Sequence, residues 1–444
     1  MHRSIMDDRP AQLLLLSDSR LEYDEARLRL EKASIRICVR AAASTPWGQA
    51  ALMTLVRCAV RMFRGGVYLE CPTAPLVLVG AHQGRPLIRV LVDLGCRRES
   101  APEHAASIFV GTESFTADCL YCWADGWAGF TSPKEAADIV MEGNVLGGAI
   151  AGALAASESF RLLVLGDRRA GKREQRVSAL FPGNIGSSDD LTISLDYLPT
   201  KMWLLGLGNL GQASLWILSL LPYHDPQDVV LQLQDVDIAK PENLDVQLLT
   251  THQWIGKKKA RMAAEFAESR GFSTVISEQR FTKVSVRSEH EPNLILCGVD
   301  NLETRRAVAR EAAEFALVID AGLGGSATEV FDIRIHGFPG DRSPEKAWPL
   351  EGKTEGRPLP EALQSLINAG RLDACGALTI AGQSMGIPST AVIAAVIQVG
   401  QVCRAIATRK YCALVDLSLR DLSCITCHEV VTDRRMSIAF QRAA

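Results

Sequence analysis

Residues 202–259 carry the side chains and glycines best suited to gripping a phosphate. The apolar run MWLL leads into Gly206-x-Gly208-x-x-Gly211, and an apolar segment that reads as a helix follows. A strand, a glycine turn and a helix in that order let backbone amides approach a phosphate closely and set a helix N-terminus beneath it. Such a turn alone would serve a dehydrogenase as well as any other nucleotide-binding protein. The polar residues downstream narrow the choice. A second apolar run ends in Asp235-Val-Asp237. Asn243-Leu-x-x-Gln247 and Gly256-x-x-Lys259 come next, and after the run NLILCGV stand Asp300-Asn301 and Arg305. A dinucleotide enzyme needs the glycines and one acid at the end of the second strand, and has no use for Asn243, Lys259 and the Asp300-Asn301 pair.

The elements that must position these residues follow from periodicity. The second half alternates strand and helix: KMWLLGLG, a helix to Leu221, VVLQLQD, a helix from Lys257 to Arg270, a strand at Thr274–Ile276, LILCGV, a helix from Leu302 to Phe315, and LVIDAG. This order predicts a mostly parallel sheet with helices on both faces. Residues 337–370 are rich in Pro, Gly and charge and read as a long loop, ahead of an apolar helix at Ser389–Ala407. The first half offers strand-like runs ASIRICV, APLVLVG and IRVLVDLG and a helix at Gln49–Phe63, so it too is α/β, with no glycine-rich phosphate loop. Two segments tie the halves together. Asn144–Arg161 and Pro388–Arg404 share small-residue spacing and a terminal Arg, a pattern that favours close backbone packing.

The ordered motifs between Leu198 and Cys427 resemble the adenylating fold of the ThiF/MoeB proteins and the ubiquitin-activating (E1-like) enzymes. The resemblance implies a Rossmann-like adenylating lobe at 198–444, with 337–370 as its crossover loop. It makes residues 1–177 a degenerate, inactive α/β lobe of the same type, joined by a polar linker at 178–197. It also implies ATP and Mg²⁺. Adenylation brings two anions together, so it needs backbone donors, a cation and a metal. On this reading Gly206, Gly208 and Gly211 lie under the phosphates, Asp235 faces the ribose hydroxyls and Asn243 lies near the phosphates. Lys259 supplies the phosphate-binding cation, with Lys257 and Lys258 solvated. Asp300 holds Mg²⁺ or orients the α-phosphate, Asp237 forms a turn, and Arg305 supports. Cys375, following the crossover loop, is the expected nucleophile for a thioester, while Cys297 and Cys403 belong to the core.

Two departures from the family pattern stand out. Val246 occupies the place of an Arg that contacts the outgoing phosphates, which removes a charge-assisted contact. Lys257, or Arg27 or Arg29 from the first half, is the expected substitute. The zinc-binding Cys pairs of the family are incomplete: Cys424 and Cys427 match one pair, no Cys lies between 331 and 374, and Cys119, Cys122 and His428 do not make up a set, so no zinc is assigned. Gly166-x-x-x-x-Gly171-Lys172 imitates a phosphate loop, but Arg173 replaces the Ser or Thr such a loop needs.

Bulk properties fit this reading. The chain has 444 residues, enough for two domains, and a net charge of -3 that gives no support for nucleic-acid or membrane binding. No uninterrupted apolar run reaches the roughly 18 residues that span a bilayer. The acidic N-terminus is no secretory signal, and the twelve cysteines, mostly within apolar runs, suggest reduced thiols and a cytoplasmic protein. The expected activity is ATP-dependent activation of a ubiquitin-like protein at its C-terminal Gly. A thioester and transfer to an E2-like enzyme would follow, in a setting that resembles bacterial antiphage conjugation. The alternatives are a sulfur-carrier adenylyltransferase without a thioester, an NAD-dependent oxidoreductase, and a non-catalytic scaffold.

Overall fold

The computed structural model describes residues 4–18, 20–115, 118–136, 143–183, 193–281, 291–340, 342–349, 359–382, 385–431 and 438–444. In the first half lie strands β1 (Ser34–Val39), β2 (Gly66–Glu70), β3 (Ala106–Val110), β4 (Leu120–Asp125), β5 (Ala128–Ser132) and β6 (Gln175–Ser178). They form one sheet in the order β2-β1-β3-β4-β5-β6, parallel through β4 and antiparallel beyond. Its helices are α1 (Arg9–Ser17), α2 (Tyr23–Lys32), α3 (Pro46–Met62), α4 (Leu87–Asp93) and α5 (Val145–Leu163).

The second half contributes β7 (Tyr197–Pro199), β8 (Lys201–Leu205), β9 (Val230–Gln234), β10 (Ser273–Ser277), β11 (Leu294–Cys297), β12 (Leu317–Leu323), β13 (Asp332–Phe338), β14 (Lys410–Ser418) and β15 (Asp421–Val431). The sheet runs β10-β9-β8-β11-β12-β13-β14-β15, parallel as far as β12. A last strand, β16 (Phe440–Arg442), pairs with β7. The helices are α6 (Asn209–Leu220), α7 (Lys259–Ser269), α8 (Leu302–Arg310), α9 (Pro344–Ala347), α10 (Glu361–Asn368), α11 (Ala374–Gly382) and α12 (Pro388–Thr408).

The two sheets repeat one plan. The order β2-β1-β3-β4-β5-β6 in the first half matches β9-β8-β11-β12-β13-β14 in the second, with β10 and β15 added at the edges. The helices α5 and α12, similar in sequence, hold the same place in each plan. Both are buried almost throughout, and α12, although long and apolar enough to cross a bilayer, lies mostly inside the fold. A Cβ added to Gly148 or Gly152 of α5 would come within 2.2 Å of a carbonyl oxygen of α3, so only glycine permits that approach. The terminal arginines act reciprocally. Arg161 donates to the carbonyl of Leu419 (2.9 Å) in the second half, and Arg404 donates to that of Leu180 (3.4 Å) in the first. Each satisfies carbonyls just past a strand of the other sheet, which locks the halves by the same device used twice. The expected degenerate copy is therefore present as a topology.

Three readings of the sequence need correction. IRVLVDLG is helical, because Leu87, Val90 and Leu91 recur at helical spacing and face the core. APLVLVG is extended but joins neither sheet: it pairs with residues 84–87, the amide of Val77 donating to the carbonyl of Arg85 (2.8 Å) and Leu76 bridging to Pro86, with Pro72 before it and Pro75 within it. The segment 337–370 is not one loop: it begins in β13 and contains α9 and α10, while its residues 341 and 350–358 lie outside the described residues, as do 184–192 of the expected linker.

Candidate functional site

The glycine turn sits where the sheet changes direction. From β8 the chain passes outward to β9 and β10, then returns to β11 on the other side, and in such sheets the carboxyl ends of the strands at that point form a ligand crevice. Gly206 has φ +84°, a left-handed conformation, and a Cβ there would meet the amide nitrogen of Val299 at 2.9 Å. At Gly211 a Cβ would lie 1.9 Å from the carbonyl oxygen of Gly206, so the first turn of α6 can pack on the strand end only as glycine. By contrast, a Cβ on Gly208 would meet nothing within 4 Å, and the N-terminus of α6 has no side-chain cap. An open turn and an uncapped helix start leave amide donors directed at the crevice.

Asp235 closes the turn from β9. Its Oδ2 accepts from the amide of Leu207 (2.6 Å) and its Oδ1 from the amide of Asp237 (2.7 Å). Burial raises its carboxyl above the ordinary value, opposed by Lys259 and by those two amides. The buried Lys259 pairs with Asp237 (3.0 Å), so Asp237 does more than form a turn: it holds the cation beside Asp235. Of the neighbouring lysines, Lys257 is exposed over the Trp254 ring, whereas Lys258 is half-buried and donates to the carbonyl of Val236 (2.6 Å) rather than being solvated. Asn243 accepts from the amide of Lys240 (2.9 Å), which fixes the turn at Pro241–Asn243.

Sequence reasoning missed the residues that anchor this turn region. The side-chain amide of Gln212 in α6 donates to the carbonyl of Leu207 (3.1 Å) and to Gln247 (2.8 Å), and its oxygen accepts from the amides of Leu249 (2.9 Å) and Thr250 (3.1 Å). A fully buried polar network of this kind ties the glycine turn to residues 247–250. Arginines from the first half reach the same segment. Arg61 of α3 donates to the carbonyl of Gln247 (2.8 Å), and Arg57 to that of Leu248 (3.3 Å) while stacking on Trp216. Burial pulls the Arg57 guanidinium down to about 9 and that of Arg61 to about 10, so both stay cationic at neutral pH.

The substitute expected near Val246 lies elsewhere than foreseen. Arg27 and Arg29 face Glu31 and Glu25 along α2, an arrangement set by their spacing of four residues. Arg9, at the start of α1, instead shares a narrow cleft with Arg61, Asp245, Val246, Gly386 and Ile387. Its Nη1 is buried with no hydrogen-bond partner among the described residues, and burial lowers its guanidinium below the ordinary value, opposed by Glu242. Asp8 next to it is fully buried, caps α1 and pairs with Arg64, which also approaches Asp245 (3.6 Å). This chain of contacts fixes the N-terminal segment against the second half.

Asp300 is exposed just beyond β11, and Asn301 caps α8 through the amide of Thr304 (3.0 Å). Arg305 fixes this strand end: it donates to the carbonyl of Val299 (2.8 Å) and to Oδ2 of the buried Asp320 (2.7 Å). The Asp320 carboxyl is pushed up to about 6, by burial first, with Arg305 opposing. In register across the sheet lie Cys297, Asp320 and His336, all buried. Neither ring nitrogen of His336 has a partner among the described residues, and burial drives the imidazole down to about 4.

Cys375 is exposed in the first turn of α11, where Asp373 accepts from the amide of Gly376 (2.6 Å). A Cβ on Gly376 would lie 3.2 Å from Sδ of Met6, and Arg371 pairs with Asp24 (2.7 Å), so the Cys375 helix rests on the N-terminal segment. Cys297 and Cys403 are buried, with thiols held well above the ordinary range, in keeping with core roles. The other cysteines bring one correction. Cys412 and Cys427 are joined as a disulfide between β14 and β15, so not all thiols are free and Cys427 is unavailable as a metal ligand. Cys424 is exposed on β15, while Cys119 and Cys122 are buried in β4 of the other sheet. Gly166–Lys172 follows a helix rather than a strand, and the amide of Gly171 is taken by Glu158 (2.6 Å), so it is a turn and not a phosphate loop.

Both halves of the chain are similar in sequence to known proteins. Residues 34–179 match the family model of the BilD N-terminal domain, and residues 198–409 match that of the BilD C-terminal domain. The bacterial E1-like protein BilD of Collimonas sp. is 33% identical over 371 residues, covering 80% of this chain and 78% of that protein. Among solved structures, E. coli MccB with succinimide is 13% identical with a TM-score of 0.34, covering 54% of this chain and 66% of that one. PaaA is 19% identical with a TM-score of 0.32, covering 52% and 64%. With a glycine turn at the switch point of a doubly wound α/β sheet, the same strand order repeated before it, and matches across both halves, the chain belongs to the BilD family of bacterial E1-like proteins.

Proposed function

We propose that this protein activates the C-terminal carboxylate of a ubiquitin-like protein with ATP. The carboxylate oxygen attacks the α-phosphorus, pyrophosphate leaves, and an acyl-AMP mixed anhydride forms. The Cys375 thiol then attacks the acyl carbon, its proton passes to solvent, AMP leaves, and the resulting thioester is handed to a cysteine of an E2-like partner. The setting we favour is cytoplasmic and belongs to bacterial antiphage conjugation.

One contrast carries the adenylation reading. The turn at Gly206–Gly208 is open, with amides and an uncapped helix beneath it, whereas the corresponding turn of the first half is closed by a side chain: the carboxylate of Glu113 accepts from the amide of Ala41 (3.2 Å). Of these two turns, among the described residues, the second-half one leaves its amides open to an anion. Around it, Lys259 is the cation for the phosphates, and Asp235 faces the ribose. Arg9 and Arg61 provide positive charge where Val246 provides none. Magnesium fits this donor set, because it is ordinarily held by one or two carboxylates together with the substrate's phosphates, and the exposed Asp300 is the carboxylate at hand. Cys375 supports the second step by being exposed at a helix start on a segment that rests against Met6.

The test is ATP–pyrophosphate exchange with a ubiquitin-like protein ending in Gly. Exchange should depend on that protein and vanish in Asp300→Ala, while a reducible adduct should form and disappear in Cys375→Ala. Exchange that persists in Asp300→Ala would sink the first step, and an adduct that persists in Cys375→Ala would sink the second.

A further inference from the structure

The first half has lost its phosphate cradle but not its crevice. At the carboxyl ends of β1 and β2, beside the loop after β3, lies a cavity of about 260 Å³ whose lining includes Cys38, Arg40, Glu70, Arg98 and Phe115. This is the same switch point, in the same strand order, as the open crevice of the second half. The carboxylate at the end of the second strand is offset by one residue between the halves. Cys38 pairs with Glu70 as Leu205 pairs with Gln234, so Glu70 stands one residue before the place that Asp235 holds in the second half.

The chemistry of the walls is that of a nucleoside site with a single charged end. Glu70, exposed at the end of β2, lines the cavity; its carboxylate accepts from the Cys38 thiol (3.6 Å), and burial together with Glu70 pushes that thiol up to about 12, so it stays a donor. A carboxylate at the end of the second strand is the group that faces vicinal ribose hydroxyls in sheets of this kind. Leu69 and Ile88 give the cavity an aliphatic side, and the Arg40 guanidinium lies over the Phe115 ring (5.2 Å), presenting a flat surface to a base. Arg40 and Arg98 are both exposed at the rim, and neither forms an ion pair among the described residues. The turn that would seat further phosphates is occupied: Glu113 takes the amides of Ala41 (3.2 Å) and Thr112 (3.1 Å), placing a negative charge there. The volume lies just below the range of roughly 300–1,000 Å³ typical of small-molecule sites.

We propose that this cavity binds a nucleoside monophosphate, with the base on the Arg40–Phe115 pair, the ribose on Glu70 and the phosphate on Arg98, and that it excludes a triphosphate. The inference stands on the duplicated fold and the cavity walls and does not depend on the activity assigned to the second half.

Cys71 offers a local reporter, since it lines the cavity and is half-exposed. The full-length chain is alkylated with iodoacetamide in the presence of AMP, and the rate at Cys71 is read by peptide mass spectrometry, with the exposed Cys424 as control. AMP should slow Cys71 labelling about tenfold when nine-tenths of the sites are filled, and leave Cys424 unchanged. The protection should survive Lys259→Ala and be lost in Arg98→Glu. Unaltered labelling of Cys71 at millimolar AMP overturns the site. Protection that disappears in Lys259→Ala but persists in Arg98→Glu assigns the effect to the second-half crevice instead. Equal protection by ATP overturns the preference for a monophosphate.

Discussion

Arg305 should carry an unusual share of the stability of the second half. Among the described residues it is the ion-pair partner of Asp320, a carboxylate just 2% exposed whose other oxygen has no hydrogen-bond partner among them. Removing one member of a buried pair leaves an uncompensated charge and costs about 3–5 kcal/mol. That is a large fraction of the roughly 5–15 kcal/mol that holds a typical domain together. Arg305→Ala should therefore lower stability by that order, and Arg305→Ala with Asp320→Asn should recover part of it. The coupling between the two should be about 1–3 kcal/mol, as for residues in one network. Urea unfolding followed by tryptophan fluorescence reads this directly, since Trp203 and Trp348 belong to the same buried cluster. Function should fall as well. With the guanidinium gone, the Val299 carbonyl loses its anchor and Asp300 its fixed position, so pyrophosphate exchange should decline even at temperatures where the variant is folded. A loss below about 1 kcal/mol, or additivity within about 0.5 kcal/mol, would refute the claim that this pair works as a unit.

Three further outcomes follow from the same geometry. Asp320 has a folded-state value of about 6, above its ordinary 3.8, so the native chain holds the extra proton and this group's own contribution to stability falls by about 3 kcal/mol as pH rises from about 4 to about 6. His336, lowered from 6.5 to about 4, contributes the opposite slope over nearly the same window; Asp320→Asn should thus make stability rise with pH there, and a denaturation series from pH 4 to 6.5 that stays flat would contradict this. Gly206→Ala must place a Cβ 2.9 Å from the Val299 amide at a left-handed φ, and should cost at least about 1–2 kcal/mol and weaken ATP binding by calorimetry. Arg9→Ala should reduce the exchange rate about tenfold or more, the loss of one charge-assisted phosphate contact, with little change in melting temperature; an unaltered rate would remove Arg9 from the site.

The second half was legible because its signals are local. The strands at Met202, Val230 and Leu294 are short, mostly apolar runs that lead into Gly206, Asp235 and Asp300 at the crevice, and Gly206 and Gly211 sit where any Cβ would collide. The helix pair α5 and α12 was also readable, from glycine and alanine spacing and from terminal arginines that turned out to act reciprocally. The first half misled where composition and period disagreed. Residues 88–95 are rich in Val, Ile and Leu, yet the core-facing set Leu87, Val90 and Leu91 has helical spacing, and tertiary packing decided between the two. Arg9, Arg61 and Gln212 carry no motif. Their importance depends on which carbonyls and clefts distant segments bring to them; Arg61, for one, reaches a carbonyl 189 positions away, a relation that no window along the chain contains. The disulfide between Cys412 and Cys427 was hidden for a similar reason, since it depends on the register of β14 against β15.

The central claim is that the crevice above Gly206 is built for ATP. Calorimetric titration of the full chain with ATP and magnesium, and separately with NAD, tests it most directly. The account predicts that ATP binds, that Lys259→Ala weakens it at least about tenfold by removing a buried charge-assisted contact, and that NAD does not compete. Tighter binding of NAD than of ATP, or ATP binding untouched by Lys259→Ala, would contradict it.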